Sequence, residues 1–264
     1  MMRQWMVLFK KEWTESLRNF KWLWLPIVFI VLGVMQPITS YYFADIIENF
    51  GGLPEGAVMD IPLPTGAEVL AGTLGQFSQI GFLVLVLAFM GTVATEKTSG
   101  THIMVLVKPV SYSSYLTAKW VHILMLTLGS YVIGFSAAVY YTFLLIDQVP
   151  MSHVLSGALV YAVWISFVMT LVLCLSALFN SSALVAFGSL GTALLLSILS
   201  MYVPELMMWS PGMLSSHSYS LFFVGEADEG FWLSMGATVA LMVVMMVSTI
   251  LLFNKKELAK DSGA

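Results

Sequence analysis

Six stretches of this sequence, approximately Trp22 to Phe43, Phe77 to Thr95, Trp120 to Ile146, Val154 to Phe179, Ala183 to Val203 and Phe231 to Phe253, contain no Asp, Glu, Lys or Arg. A bilayer core of roughly 30 Å takes roughly 20 apolar residues in helix, so each stretch is long enough to cross it. With 10% charged residues and a mean hydropathy of +0.89, too little charge remains for a soluble surface, which excludes an ordinary globular domain. The expected fold is an all-α membrane protein of six transmembrane helices. The fourth and fifth are separated only by Asn180-Ser181-Ser182, a polar turn that makes them an antiparallel hairpin.

Orientation follows from the charges. All 11 Lys and Arg fall on one side: Arg3, Lys10, Lys11, Arg18 and Lys21 before span one, Lys97, Lys108 and Lys119 between spans two and three, and Lys255, Lys256 and Lys260 after span six. The other side holds Asp45, Glu48, Glu55, Asp60, Glu68, Asp147, Glu205, Glu226, Asp228 and Glu229 with no Lys or Arg. Basic residues near span ends are retained in the cytoplasm, which places both termini there. The charged, Trp-bearing N-terminus up to Lys21 is followed by no small-residue cleavage site, so span one is expected to be retained. Cys174, the only cysteine, leaves no intrachain disulfide and no Cys-based metal set.

Residues 1–21 are expected to form an amphipathic interfacial helix. Trp5, Phe9, Trp13 and Leu17 recur every four residues, and Lys10, Lys11, Thr14, Arg18 and Lys21 occupy other faces. Such a helix serves as a positive-inside anchor in membrane lipid, or as a lever beside a cytoplasmic partner. The outer loop 44–76, rich in Gly, Pro and acid, reads as turns; a second outer loop spans 204–230, and 254–264 is a cytoplasmic tail.

The segment between spans two and three is the most informative. Gly100 suits a left-handed cap ending span two, Thr101 can cap a short helix through Val107, Pro109 stops it, and Ser111 can cap the third span. Gly91 to Thr98 has phosphate-loop spacing, but Glu96 replaces the second glycine and would repel phosphate. No nucleotide site or other cofactor is therefore expected on this chain.

Glu96, Gly100-Thr101, Leu106, Pro109-Val110-Ser111 and Lys119 together resemble the pattern of ABC type-2 permeases, the membrane subunits of ABC exporters. The layout is similar throughout: a basic N-terminal helix with Lys10-Lys11-Glu12, six spans, the Asn180-Ser181-Ser182 turn, and a Pro-containing segment before span six. Tyr112 stands where the family commonly has Arg. The resemblance implies a cell-membrane permease that pairs with a second permease subunit, identical or paralogous, and docks two copies of a separate ABC ATPase holding ATP and Mg. It makes 96–108 the coupling segment, with Glu96, Lys97, Thr98, Ser99, Gly100, Thr101, His102 and Leu106 at the ATPase interface. Lys10, Lys11 and Trp13 of the N-terminal helix would contact the same partner. It also implies short re-entrant helices within 204–230.

Other classes fit less well. An intramembrane enzyme or proton-coupled secondary carrier needs ionisable groups within the bilayer, and the spans offer only His122 near one end. A Cu(I) route through the 18 Met fails because the densest pairs, Met207-Met208 and Met245-Met246, are adjacent and face apart. A non-transporting anchor, immunity or scaffold protein would share this layout. Nothing suggests nucleic acid, and no substrate contacts are assigned.

Overall fold

The computed structural model describes residues 2–50, 62–100 and 111–261, with side chains for all of these except 2–3, 48–50 and 254–261. The described part is helical and contains no strand, with six helices long and apolar enough to cross a membrane. Helix α1 (Met2–Arg18) leads through an exposed corner at Phe20 into the first span, α2 (Lys21–Tyr41), followed by α3 (Phe43–Phe50).

Span two is composite: α4 (Gly66–Gln76), a π-helical turn at Phe77–Gly81, α5 (Phe82–Phe89), a non-helical break at 90–93, and α6 (Ala94–Thr98). It starts at Gly66, well before the expected Phe77. The physical reason is a capping box: the Thr65 hydroxyl accepts from the Glu68 amide, and the Glu68 carboxylate accepts from the Thr65 amide at 2.7 Å. The reading of 44–76 as turns is therefore corrected at 44–50 and 66–76, which are helical; the intervening 51–61 lie outside the described residues.

Ser111 caps the third span, α7 (Tyr112–Leu145), its hydroxyl accepting from the Ser114 amide. The helix thus begins well before Trp120. Then come α8 (Met151–Leu178), α9 (Ser182–Tyr202), the short α10 (Pro204–Met207), α11 (Met213–Phe223) and α12 (Phe231–Asp261). Gly100 has φ of 72°, the left-handed conformation expected of a helix-ending glycine.

Among the spans α8 is the most buried and α12 the least. Trp164 and Tyr161 of α8 form the centre of the apolar core with Phe82, Phe77 and Tyr131. Apolar side chains gain little from leaving lipid for protein, so close backbone approach supplies much of the packing. At the tight α2–α7 contact, a Cβ on Gly33 would lie 2.2 Å from the Gly134 carbonyl oxygen, and one on Gly134 would lie 2.5 Å from the Phe29 carbonyl. Helix α11, buried through Leu214, His217 and Phe222, packs on α8, where Ser218 donates to the Gly157 carbonyl at 2.8 Å. By contrast Leu206 and Trp209, at and after α10, are exposed.

Candidate functional site

Charged side chains gather where α1 crosses the first turns of α7. The stripe that α1 buries is Leu8, Glu12 and Ser16, spaced four apart, with Trp5, Phe9 and Trp13 half-buried beside it. Leu17, on the apolar face read from sequence, is exposed and takes no part in this stripe. Ser16 ties three helices: it donates to the Trp13 carbonyl, accepts from Trp22 Nε1 at 2.9 Å, and pairs with His122 Nε2 at 2.9 Å. Trp13 packs against Trp22 with the rings tilted by 45° and their centroids 4.3 Å apart.

At the centre is Lys119 of α7, only 1% exposed. Its ammonium donates to Glu12 Oε1 at 2.8 Å and to Glu96 Oε1 at 3.0 Å. Lys11 donates to the same Glu96 oxygen at 2.5 Å and to Glu12 at 3.3 Å, with Glu15 3.9 Å away. Tyr115, one turn before Lys119, donates its hydroxyl to Glu96 Oε2. Two ammonium groups thus serve three carboxylates drawn from α1 and α6. Burial alone would lower the Lys11 pKa, but the Glu12, Glu96 and Glu15 carboxylates outweigh it and raise the pKa above the ordinary lysine value.

The carboxylates of Glu12, Glu15 and Glu96 lie within 4.8 Å of one another, an all-oxygen set of the type hard cations take. Lys11 and Lys119 already supply the compensating positive charge. A cavity of about 520 Å³ opens beside the cluster, lined by Glu12, Ser16, Lys21, His122 and residues 87–92. Lys21 crosses it to donate to the Ala88 carbonyl at 2.7 Å.

Helix α6 is held on its other side by α8. The Ser176 hydroxyl accepts from the Val93 and Ala94 amides at 3.0 and 3.1 Å and donates to the Met90 carbonyl at 2.8 Å, pairing backbone groups at the break in span two. Lys97 donates to the Ala177 and Phe179 carbonyls at 2.8 and 3.0 Å, placing a cation on the negative end of α8.

Of the residues expected at a partner interface, Glu96 and Lys11 meet in the cluster, Lys97 points away to α8, and Thr98 and Ser99 bond within their own turn. A Cβ added to Gly100 would meet nothing within 4 Å among the described residues, and Lys10 is exposed. Thr101, His102 and Leu106, with the rest of 101–110, lie outside the described residues. Sequence reasoning missed Glu12, Tyr115 and the inward course of Lys119. The four-residue spacing of Leu8, Glu12 and Ser16 was the available signal for Glu12.

A second cavity, of about 700 Å³, lies at the opposite end between span two, α9 and α11, and carries the uncharged Ser78, Gln79, Ser197, Ser215 and Tyr219.

Six spans, with ion pairs that tie the N-terminal helix to the second and third of them, define a multi-pass membrane protein with a braced junction at one end. The chain belongs to the ABC-2 transporter family: the family model described as ABC-2 family transporter protein matches residues 6–258. It is accordingly a membrane component of an ABC transporter. It is also 29% identical over 256 residues to the "Uncharacterized transmembrane protein YxlG" of Bacillus subtilis (strain 168), covering 97% of this chain and 99% of that protein.

Proposed function

We propose that the chain is the permease subunit of an ABC exporter in the cell membrane, with both termini cytoplasmic. It pairs with a second permease and couples ATP hydrolysis by a separate ATPase, which holds ATP and Mg, to substrate movement. The observation that carries this reading is Glu96. It opens the segment 96–108, and its carboxylate is gripped by Lys11, Tyr115 and Lys119. A displacement of that segment by an ATPase therefore reaches α1 and α7 through the same oxygens, and coupling requires these contacts to differ between the two states. Trp13 and Lys11 are engaged internally, so α1 takes part through this cluster. The 700 Å³ cavity is walled mainly by apolar side chains such as Phe82, Leu83, Leu194 and Ile198, with a few uncharged polar groups, which supports a substrate path there for an apolar or amphiphilic molecule.

The test is purification of the tagged full chain with its ATPase, followed by ATP-driven activity in vesicles. Glu96→Ala and Gly100→Pro are expected to insert and assemble normally yet lose coupled activity. Normal coupling in both would overturn the coupling assignment, and absence of any ATPase in the complex would favour a scaffold. Orientation is checked in a Cys174→Ser background: Glu205→Cys should react with an impermeant thiol reagent in intact cells and Thr98→Cys should not.

A further inference from the structure

The outward side of α1 is not a simple solvated surface. Opposite the buried Leu8–Glu12–Ser16 stripe lie Met6, Lys10, Thr14, Leu17 and Arg18, and Met6 and Leu17 are 61% and 48% exposed. The apolar members continue a line already on the first span. Leu23, Ile27 and Val31 are exposed along α2, a helix long and apolar enough to cross a membrane, where such a face suits acyl chains. Phe20 bridges the two helices: it sits at φ 54°, a conformation rare for a bulky residue, and is 67% exposed at the corner. Val31, Ile27, Leu23, Phe20 and Leu17, three or four residues apart, are thus all exposed along α2, its corner and the end of α1.

Beside it runs a polar ridge at four-residue spacing, Lys10, Thr14, Arg18. Of the other cations among the described residues, Lys11 and Lys119 are taken by carboxylates and Lys21 by the Ala88 carbonyl. Lys10 and Arg18 make no ion pair among the described residues. They border a groove of about 600 Å³ completed by Val7, Lys11, Thr14, Glu15 and Asn19. Glu15 is the one acid there, and Lys11 stands 3.9 Å from it.

From this juxtaposition of two uncompensated cations with an apolar line continuous with the lipid-covered span, we propose that the α1–α2 elbow is a binding site for an anionic phospholipid. Its phosphate lies at Lys10 and Arg18 and its acyl chains follow Leu17, Phe20 and Leu23. A protein partner would satisfy the cations but would not require the apolar line to continue down a membrane span. A lipid requires both. The elbow thereby fixes α1 at headgroup depth, which holds the ion-pair cluster on its inner side in register with α7.

The test uses the full chain in a Cys174→Ser background with an environment-sensitive fluorophore on Leu17→Cys, in phosphatidylcholine vesicles. Brominated phosphatidylglycerol or brominated phosphatidylcholine is added at equal mole fraction. A cation near an anionic surface is worth about a fivefold preference. Brominated phosphatidylglycerol should accordingly show at least about fivefold tighter association with the site. The preference should vanish in Lys10→Gln/Arg18→Gln, persist in Lys10→Arg, and fall as salt shortens the Debye length from about 10 Å to about 3 Å. The salt series on the parent alone decides the matter if the double variant fails to fold. Equal quenching by both lipids would overturn headgroup recognition. A label unquenched by either lipid, but shielded when the ATPase subunit is added, would give the face to a protein partner and overturn the proposal.

Discussion

Replacing Lys119 by Met keeps most of the side-chain volume in α7 and removes the charge at the centre of the cluster. At a separation of about 3 Å and an effective dielectric constant of about 20, each Lys119–carboxylate attraction is about 5 kcal/mol before desolvation. Desolvation offsets most of that, so the net worth of the intact cluster is small. Removing one partner is different, because it strands the opposite charge, at a cost of about 3–5 kcal/mol. Lys11 still reaches both Glu96 and Glu12, and Tyr115 still donates to Glu96, which places Lys119→Met at the lower end, about 3 kcal/mol. For a chain of this size about 1 kcal/mol moves the midpoint by about 2–4 °C, so thermal unfolding of the detergent-solubilised protein should shift down by about 6–12 °C. Glu12→Gln in the same background should restore part of the loss by removing the stranded charge. A shift below about 2 °C, or strictly additive effects of the two substitutions, would refute the account of the cluster as mutually compensating.

Ser176→Ala leaves the Val93 and Ala94 amides and the Met90 carbonyl without that hydroxyl, costing about 2 kcal/mol, and hydrogen exchange should quicken at 93–94 before the rest of span two. Gly134→Ala presses a methyl group on the Phe29 carbonyl and should cost about 3 kcal/mol or more in thermal stability, whereas Gly129→Ala, with nothing within 4 Å, should be neutral or slightly stabilising. His217 is buried against Phe231, with neither ring nitrogen hydrogen-bonded among the described residues. Burial lowers its pKa, only partly offset by Asp228, so the unfolded chain binds more protons below about pH 6.5. Stability measured by thermal unfolding should therefore fall as pH drops below that point towards the depressed folded value, and His217→Gln should flatten the slope.

The spans are legible in the sequence because an uncharged run of membrane length has few alternatives, and the Ser111 and Gly100 caps because their chemistry is local. The start at Gly66 is equally local, written in Thr65-x-x-Glu68, but the surrounding Gly and Pro carry a stronger turn signal. Lys119 reads in sequence only as a charge that marks a side. No carboxylate lies in its own helix, where only the Tyr115 ring faces its ammonium: Glu12 is 107 residues away and Glu96 is 23, so its burial is a property of three helices meeting. On α1 the large aromatic rings outweigh Leu8, Glu12 and Ser16 in the pattern, yet smaller and polar groups fit the closest approach to α7. The candidate site is thus visible in the sequence as two residues, Lys11 and Glu96, without the partner that joins them.

Glu96 and Lys97 are neighbours in chain and stand roughly 100° apart around α6. One is fastened to α1 and α7, the other to the carboxyl end of α8. A short helix anchored at two points on different sides cannot swivel about its own axis without tearing one anchor. It behaves as a bracket, and what reaches it as a twist leaves as a shift of the helices bolted to it.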